Sequence, residues 1–395
     1  MTKSVVLYTV SKNNWFMKQI YALIVMLMMA SVAFTGCVSD DGDADDTTVD
    51  DTTDDTTVEP VGEEAKSTLD VIIERGSLKC GIKTSQFGMG YLDSDTGVYS
   101  GLDVEYCRAV AAAIGLNPDE NIEYVVASAG DRFTKLADKE IDVLIRTTTW
   151  TTSRDADLNA DFAGINFYDG QGMLVNTGAH ADADSIMDLD GAKVCTTTGT
   201  TTEGNLADYF TTNGLTYDVV GVADDGQAME KFKAEDCTAW TGDMSNMVAQ
   251  QWAVGNDANV TFGMAIMPEL LSKEPLGAAT RDNDADWNEV VTWVWYGMLT
   301  AEELGVDSSN YGDQDMENPA YSRLLNNNLG LGTEANPLSA TWMQDVLKHV
   351  GNYHEAYDKS FCDGDGTMAN CLVDRAGTMN APYWEGGLQY APPMR

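Results

Sequence analysis

Two successive series of short apolar strands alternating with helix-spaced segments constrain this chain more than any other feature. Residues 69–75 read as a short helix and residues 78–82 as a strand. Val104, Cys107, Ala111 and Ile114 then recur at helical spacing, and Gly115 suits the end of that helix. Residues 122–126 form a strand, 133–139 a helix and 143–145 a short buried strand. This β-α-β-α-β order predicts a parallel sheet with helices on its faces. A second series follows, with strands at 173–175, 193–196, 217–222 and 238–240 and helices at 202–210, 227–233 and 244–252. The rhythm repeats while the residues do not, so the expectation is two α/β lobes.

The chain passes between the lobes twice on this reading. Residues 167–172 contain glycine and suit the first crossing, and the return is expected near residues 267–277. A strand at 276–279 and an apolar helix at 287–299 then rejoin the first lobe. Trp293, Val294 and Trp295 are consecutive, so that helix is buried on several faces, and core packing accounts for its tryptophans. The expected organisation is 67–167 for the first part of lobe 1, 168–270 for lobe 2 and 271–300 for the return to lobe 1. Residues 301–395 form a helical C-terminal extension packed on lobe 1.

The 395 residues suffice for two or three compact domains. A formal net charge of −40 argues against a nucleic-acid or anionic-membrane partner, because such partners need a basic surface. Residues 1–37 stand apart. Lys12 and Lys18 precede an apolar run at 20–34, the pattern of a secretory signal. The run ends in Thr35-Gly36-Cys37, which resembles a lipoprotein processing box with Phe34 where Leu is usual. Cys37 is the expected lipidation site, and Met17 is an alternative start. Residues 38–66 follow as a tether. Within 38–65 there are twelve acidic residues and no Lys or Arg, so the segment is expected to stay extended and solvated. Asp41, Asp43 and Asp45 suggest a calcium loop, but Asp46 stands where that loop needs Gly and Thr52 where it needs Glu.

Removing Cys37 from the seven cysteines leaves Cys80, Cys107, Cys195, Cys237, Cys362 and Cys371. An even number in an exported chain points to disulfides. Sequence permits about fifteen pairings. The simplest set is 80–107, 195–237 and 362–371, each closing a local loop and contributing about 2–4 kcal/mol.

Familiar catalytic signatures are missing. There is no phosphate-binding G-x-x-x-x-G-K-[ST], no G-x-S-x-G, no H-E-x-x-H and no C-x-x-C. The three histidines, His180, His349 and His354, lack ligand spacing, and no metal or cofactor is expected. Three other constellations carry chemistry. Arg146-Thr147-Thr148-Thr149-Trp150-Thr151-Thr152-Ser153-Arg154 follows the buried strand at 143–145. The carboxyl end of a parallel strand is where open α/β sheets bind ligands. Arg154 offers a planar fork suited to a carboxylate. Thr196-Thr197-Thr198-Gly199-Thr200-Thr201-Thr202 lies between a strand and a helix, whose first N–H groups attract an anion. Asp243 follows the strand at 238–240 and either caps the next helix or pairs with an ammonium. Together they make an α-amino acid site: Arg154 from one lobe, Thr201 and Asp243 from the other, with the ligand bridging them.

These residues carry a resemblance. The chain resembles the general L-amino-acid-binding proteins of polar amino acid ABC importers, within the class II periplasmic binding fold. The resemblance runs from about Thr68 to the C-terminus. It is most specific at Leu78-Lys79-Cys80-Gly81, at 102–110, 146–155, 162–172 and 199–210, at Ser272-Lys273-Glu274-Pro275-Leu276-Gly277 and at 386–393. It implies a two-lobed α/β protein without catalytic residues that delivers L-amino acids to ABC permease subunits; with the Cys37 anchor, the expectation is a monomer held by lipid at the extracellular face of the cell membrane or in the periplasm. It implies that Arg154 binds the ligand carboxylate and Asp243 the α-ammonium, with Thr147, Thr149 and Thr201 as further contacts. Cys80–Cys107 and Cys195–Cys237 match family bridges. One departure stands out. Relatives place an aromatic residue on the ligand before the first-lobe helix, where this chain has Ala127-Ser128-Ala129-Gly130. Phe87 or Tyr91 is the expected substitute. Arg146 adds positive charge, which favours acidic or polar ligands. The alternative is an enzyme on the same scaffold, dehydratase-like or transglycosylase-like, since fold alone does not decide function.

Overall fold

The computed structural model describes residues 66–395. The expected signal segment, Cys37 and the tether through residue 65 lie outside the described residues.

The first strand, β1 (Leu78–Ile82), follows a helix at Thr68–Arg75 that ends on Gly76, whose φ of 74° suits glycine. A small hairpin sheet comes next: β2 (Ser85–Gln86), β3 (Gly90–Leu92) and β4 (Tyr99–Ser100). Its strands, two or three residues long, are too short for a period-2 pattern to register. The helix Leu102–Ala113 leads to β5 (Ile122–Val126), and Arg132–Ala137 to β6 (Val143–Leu144). After the helix Thr152–Asp157, β7 (Ala160–Phe162) closes this half.

A ten-residue strand, β8 (Phe167–Asn176), then carries the chain into the second half. There β9 (Ala192–Thr197), β10 (Tyr217–Val222) and β11 (Ala239–Asp243) are joined by helices Thr201–Asn213 and Asp225–Lys233. The helix Met244–Gly255 and β12 (Met264–Ile266) follow. The return is β13 (Lys273–Leu276), with β14 (Ala279–Arg281) beyond it.

The result is two large sheets beside the small hairpin sheet. The first has the order β5-β1-β6-β14-β7, and the second β10-β9-β11-β8-β12 with β13 paired to β8. The parallel expectation holds for β5-β1-β6 and for β10-β9-β11. It fails for β7, β8, β12, β13 and β14, which pair antiparallel. The two crossings are the reason: β8 and β13 run side by side in opposite directions, Glu274 opposite Asp169. The single strand expected at 276–279 is two strands, because the chain changes sheet at Gly277. A Cβ there would lie 2.4 Å from the Gly164 carbonyl oxygen, so only glycine fits.

The core follows this division. One cluster joins the first sheet to the buried helix Leu102–Ala113, to Ala285–Glu303 and to the C-terminal helices Trp342–His349 and Tyr353–Phe361. Trp287 and Trp295 are fully buried in it, as core packing requires. Two further clusters cover the faces of the second sheet. The C-terminal segment also returns to the crossing. Asn380 accepts from the Tyr168 N–H at 2.7 Å and donates to its carbonyl at 2.9 Å.

Of the fifteen pairings that sequence permits, the structure forms Cys80–Cys107, Cys195–Cys237 and Cys362–Cys371. The first pins β1 to the helix behind it, and the second pins β9 to the residues entering β11.

Candidate functional site

Strands β1, β5 and β6 of one sheet and β9, β10 and β11 of the other end at a shared cleft. The residues just past those ends line a cavity of about 450 Å³, its mouth included. They include Lys83 after β1, Arg132 after β5, and Arg146, Thr147, Thr149 and Arg154 after β6. From the other lobe come Thr197, Thr200, Thr201, Thr202, Asp225, Thr241, Gly242, Asp243 and Asn246. The cleft is closed in this structure. Lys83 pairs with Asp225 across it at 2.5 Å, and Gln86 donates to Ser245 at 2.9 Å. Phe87 stacks on Trp252 with ring centroids 5.2 Å apart.

Arg154 sits in the first turn of Thr152–Asp157. Thr151 caps that helix by accepting from the Arg154 N–H at 3.3 Å. The residue is 8% exposed, and its guanidinium spends one hydrogen bond on the Thr149 carbonyl at 2.8 Å. Its other N–H groups are left for the cavity it lines. Arg146 donates its Nε to the Ala127 carbonyl at 2.9 Å. Thr147 takes a positive φ of 35°, held by its N–H donating to Asp103 at 2.9 Å. Burial pushes the Asp103 carboxyl up to about 6, against the pull of that hydrogen bond and of Arg146.

Asp243 does not serve as a helix cap. It occupies the cap position of the helix Met244–Gly255 yet makes no capping hydrogen bond. Asp169 of β8 meets the exposed helix amide instead, accepting from the Ser245 N–H at 3.3 Å. The Asp243 carboxylate is therefore free for the cleft. Burial raises it well above the usual carboxylate range, and the negative charges of Asp169 and Glu274 push it further. A carboxylate so placed gains from an incoming cation.

Thr200 caps the helix Thr201–Asn213, accepting from the Glu203 N–H at 3.2 Å. The N–H groups of Thr201 and Thr202 find no acceptor among the described residues, so the positive end of this helix faces the cavity. The Thr201 hydroxyl approaches that of Thr149, from the opposite lobe, to 3.3 Å.

Six of the seven residues expected to contact ligand, Arg154, Asp243, Thr147, Thr149, Thr201 and Arg146, line the one cavity. Phe87 does not join them. Its ring is taken by Trp252 and by Tyr91, 5.7 Å away, on the seam between the lobes. The small residues Ala127-Ser128-Ala129-Gly130 that stand where an aromatic platform was expected lie beside Gly199 of the second lobe, at ordinary van der Waals distance. Phe133 lies near two of the lining residues, with the Arg132 and Arg154 guanidiniums 5.2 and 5.7 Å from its ring centroid.

Sequence reading missed Lys83, Arg132, Asp225, Asn246 and Glu274. Lys83 and Arg132 lie within a few residues of strand ends read correctly at 82 and 126, and Asp225 lies three residues past the end at 222. The rule that found Arg146 reaches them too. Arg132 is 2% exposed and its Nε has no partner. Among the described residues no group of His, Cys, Asp or Glu is placed to hold a metal ion.

A cleft of charged and hydroxyl groups closed by two hinged lobes defines a solute-binding protein, one that grips a small polar molecule by burying it. The comparisons agree. Residues 78–359 match the model of bacterial extracellular solute-binding proteins, family 3, and the chain belongs to that family. It is 39% identical over 336 residues to the glutamate/glutamine/aspartate/asparagine-binding protein BztA of Rhodobacter capsulatus, covering 85% of this chain and 95% of that one. It is 37% identical over 341 residues to the general L-amino acid-binding periplasmic protein AapJ of Rhizobium johnstonii, covering 85% and 95%. Among solved structures, an ABC transporter periplasmic binding protein from Brucella ovis with glutathione bound superposes with a TM-score of 0.75 at 38% identity. That match covers 84% of this chain and all of the other. The two-lobed fold expected from sequence is thus the fold of the family.

Proposed function

We propose that this chain captures an L-α-amino acid between its lobes outside the cell membrane and delivers it to the permease of an ABC importer. One observation carries the reading: Arg154 and Asp243, from opposite lobes, line the same cavity, and each keeps hydrogen-bonding capacity unspent. A guanidinium and a helix start suit the ligand carboxylate, and the unpaired acid suits its ammonium. The ligand then completes contacts to both lobes at once, which stabilises the closed form. The names of the relatives support amino acids as the ligand class.

The cavity charge narrows that class. Four cationic residues, Lys83, Arg132, Arg146 and Arg154, face two acidic ones, Asp225 and Asp243, so the lining carries +4 − 2 = +2. The whole chain carries −40. A neutral zwitterion leaves the excess in place, whereas a dicarboxylic amino acid reduces it. Acidic ligands are therefore favoured, and the hydroxyl-rich lining favours polar ligands over aliphatic ones. The protein acts by binding and release, as a monomer, with Cys37 as its lipid anchor and residues 38–66 as the tether. Lobe 1 comprises 67–167 and 271–300, lobe 2 comprises 168–270, and the extension is 301–395.

Thermal unfolding of the purified protein with each of the twenty amino acids tests the reading, since a ligand that binds the folded state raises the melting temperature. Glutamate or another polar amino acid should raise it, and calorimetry should then return a single site. A flat response to all twenty overturns the assignment. Equal affinity for leucine and glutamate removes the charge preference alone.

A further inference from the structure

Glu274 lies on β13, where the chain returns from the second lobe to the first, and its side chain is buried, the residue being 1% exposed. Four neutral side chains donate to it. Thr149 of lobe 1 donates to Oε2 at 2.5 Å, and Thr201 of lobe 2 donates to the same oxygen at 2.9 Å. Asn205 and Ser272 donate to Oε1 at 2.8 and 2.5 Å. Among the described residues no Lys, Arg or His pairs with it.

A hydroxyl has one proton to donate, and an ionised carboxylate only accepts. Both threonines give that proton to Glu274. Their oxygens, 3.3 Å apart on the cavity wall, then present lone pairs alone to whatever binds. Two lone pairs backed by a buried negative charge suit a cation and repel an anion. The pair exists only while the lobes are closed, because each lobe supplies one threonine.

We propose that Glu274 is a positioning residue that turns Thr149 and Thr201 into an acceptor site for the ligand ammonium group. This rests on the amino acid reading and adds to it. Thr201 then serves two ends of one ligand: its main-chain N–H faces the carboxylate, and its hydroxyl oxygen faces the ammonium. Glu274 thereby links closure of the lobes to selection for an amino group, at a point sequence had marked as part of a return crossing and of a family-like segment but not as a ligand-site residue.

The test compares calorimetric affinities for L-glutamate and glutarate, which differ by the amino group alone, in the full protein and in Glu274→Gln and Thr149→Val. In Glu274→Gln the new amide donates to a hydroxyl and turns its proton toward the cleft. In Thr149→Val the acceptor is gone. The ratio of glutamate to glutarate affinity is expected to fall at least tenfold in both, with glutamate affinity carrying the loss. If both variants weaken the two ligands by the same factor, Glu274 has a structural role only and this proposal fails while the amino acid reading stands. If the unaltered protein binds none of the twenty amino acids, both fail; if it binds another in place of glutamate, that amino acid and its counterpart without the amino group replace the pair. Should Glu274→Gln not fold, as its melting curve without ligand will tell, Thr149→Val decides alone.

Discussion

Lys83 and Asp225 meet at 2.5 Å across the cleft, one from each lobe, and no other ion pair among the described residues joins the lobes. Both side chains are nearly buried when the cleft is shut, at 10% and 7% exposure. Burial alone would raise the Asp225 carboxyl, but Lys83 and Arg146 outweigh it and hold that carboxyl below its ordinary value. The pair is a latch that forms on closure. Removing one partner strands the other charge in a shut cleft. Asp225→Asn should therefore weaken amino acid binding by about tenfold, or ~1.4 kcal/mol. Lys83→Met should do the same. The double variant should lose less than the sum, a coupling that a double-mutant cycle by calorimetry measures directly. Additive losses would mean that the two residues act separately.

Binding should depend on pH through Asp243. Its carboxyl sits well above the usual range in the closed cleft without ligand because of burial and of its acidic neighbours Asp169 and Glu274. An ammonium placed against it favours the ionised form and lowers that value. Binding then releases protons, so affinity rises with pH up to the free-protein value and levels off above it. Calorimetry in buffers of different ionisation enthalpy reads the release as a change in apparent enthalpy. Asp243→Asn should abolish the release and weaken binding at high pH, where the unaltered carboxyl is ionised, with the difference shrinking as pH falls.

The ligand-free protein should respond to pH in the opposite sense. Burial raises Asp103 and Asp169 from 3.8 to about 6 in the folded state. Between those values the folded state holds more protons than the unfolded chain, and stability falls as pH rises. The contribution is whole below about pH 4 and gone above about pH 6. Asp103→Asn keeps an acceptor for the Thr147 N–H and should flatten part of that decline. Urea unfolding at a series of pH values checks it.

The strands that build the cleft were legible because they are short runs rich in β-branched and aromatic residues, bounded by turns. The strands at 78–82, 122–126 and 217–222 were read to the residue. What sequence concealed was the pairing at the crossings. Residues 167–172 and 273–276 lie about a hundred positions apart, and only their meeting in space makes them antiparallel neighbours. Glu274 was hidden for the same reason, since its partners Thr149, Thr201 and Asn205 come from distant segments. Arg154 and Asp243 were readable because each follows a strand whose end faces the crevice. Phe87 misled because an aromatic beside a cleft has two ways to be buried, and here Trp252 supplies the surface.

Arg154 and Arg132 should separate in their effects, although both guanidiniums lie near the Phe133 ring. Arg154 is fixed to the Thr149 carbonyl, and its remaining donors face the cavity. On the proposed reading it meets the α-carboxylate, which every amino acid carries. Arg154→Ala should then cost every ligand about a hundredfold in affinity, ~3 kcal/mol, the scale of hydrogen bonds to a charged group. Arg132 has no partner for its Nε and is depressed by burial and by Arg146 and Arg154 beside it. It is a positive charge that gains from a second anion. Arg132→Gln should weaken glutamate by tenfold or more while leaving glutamine within about threefold, and it should relieve repulsion enough that the free protein melts no lower. Loss of both ligands alike in Arg132→Gln would place that residue with Arg154 at the carboxylate. Loss of glutamate alone in Arg154→Ala would exchange the two roles. The four affinities, measured by calorimetry on the two variants, decide between these arrangements.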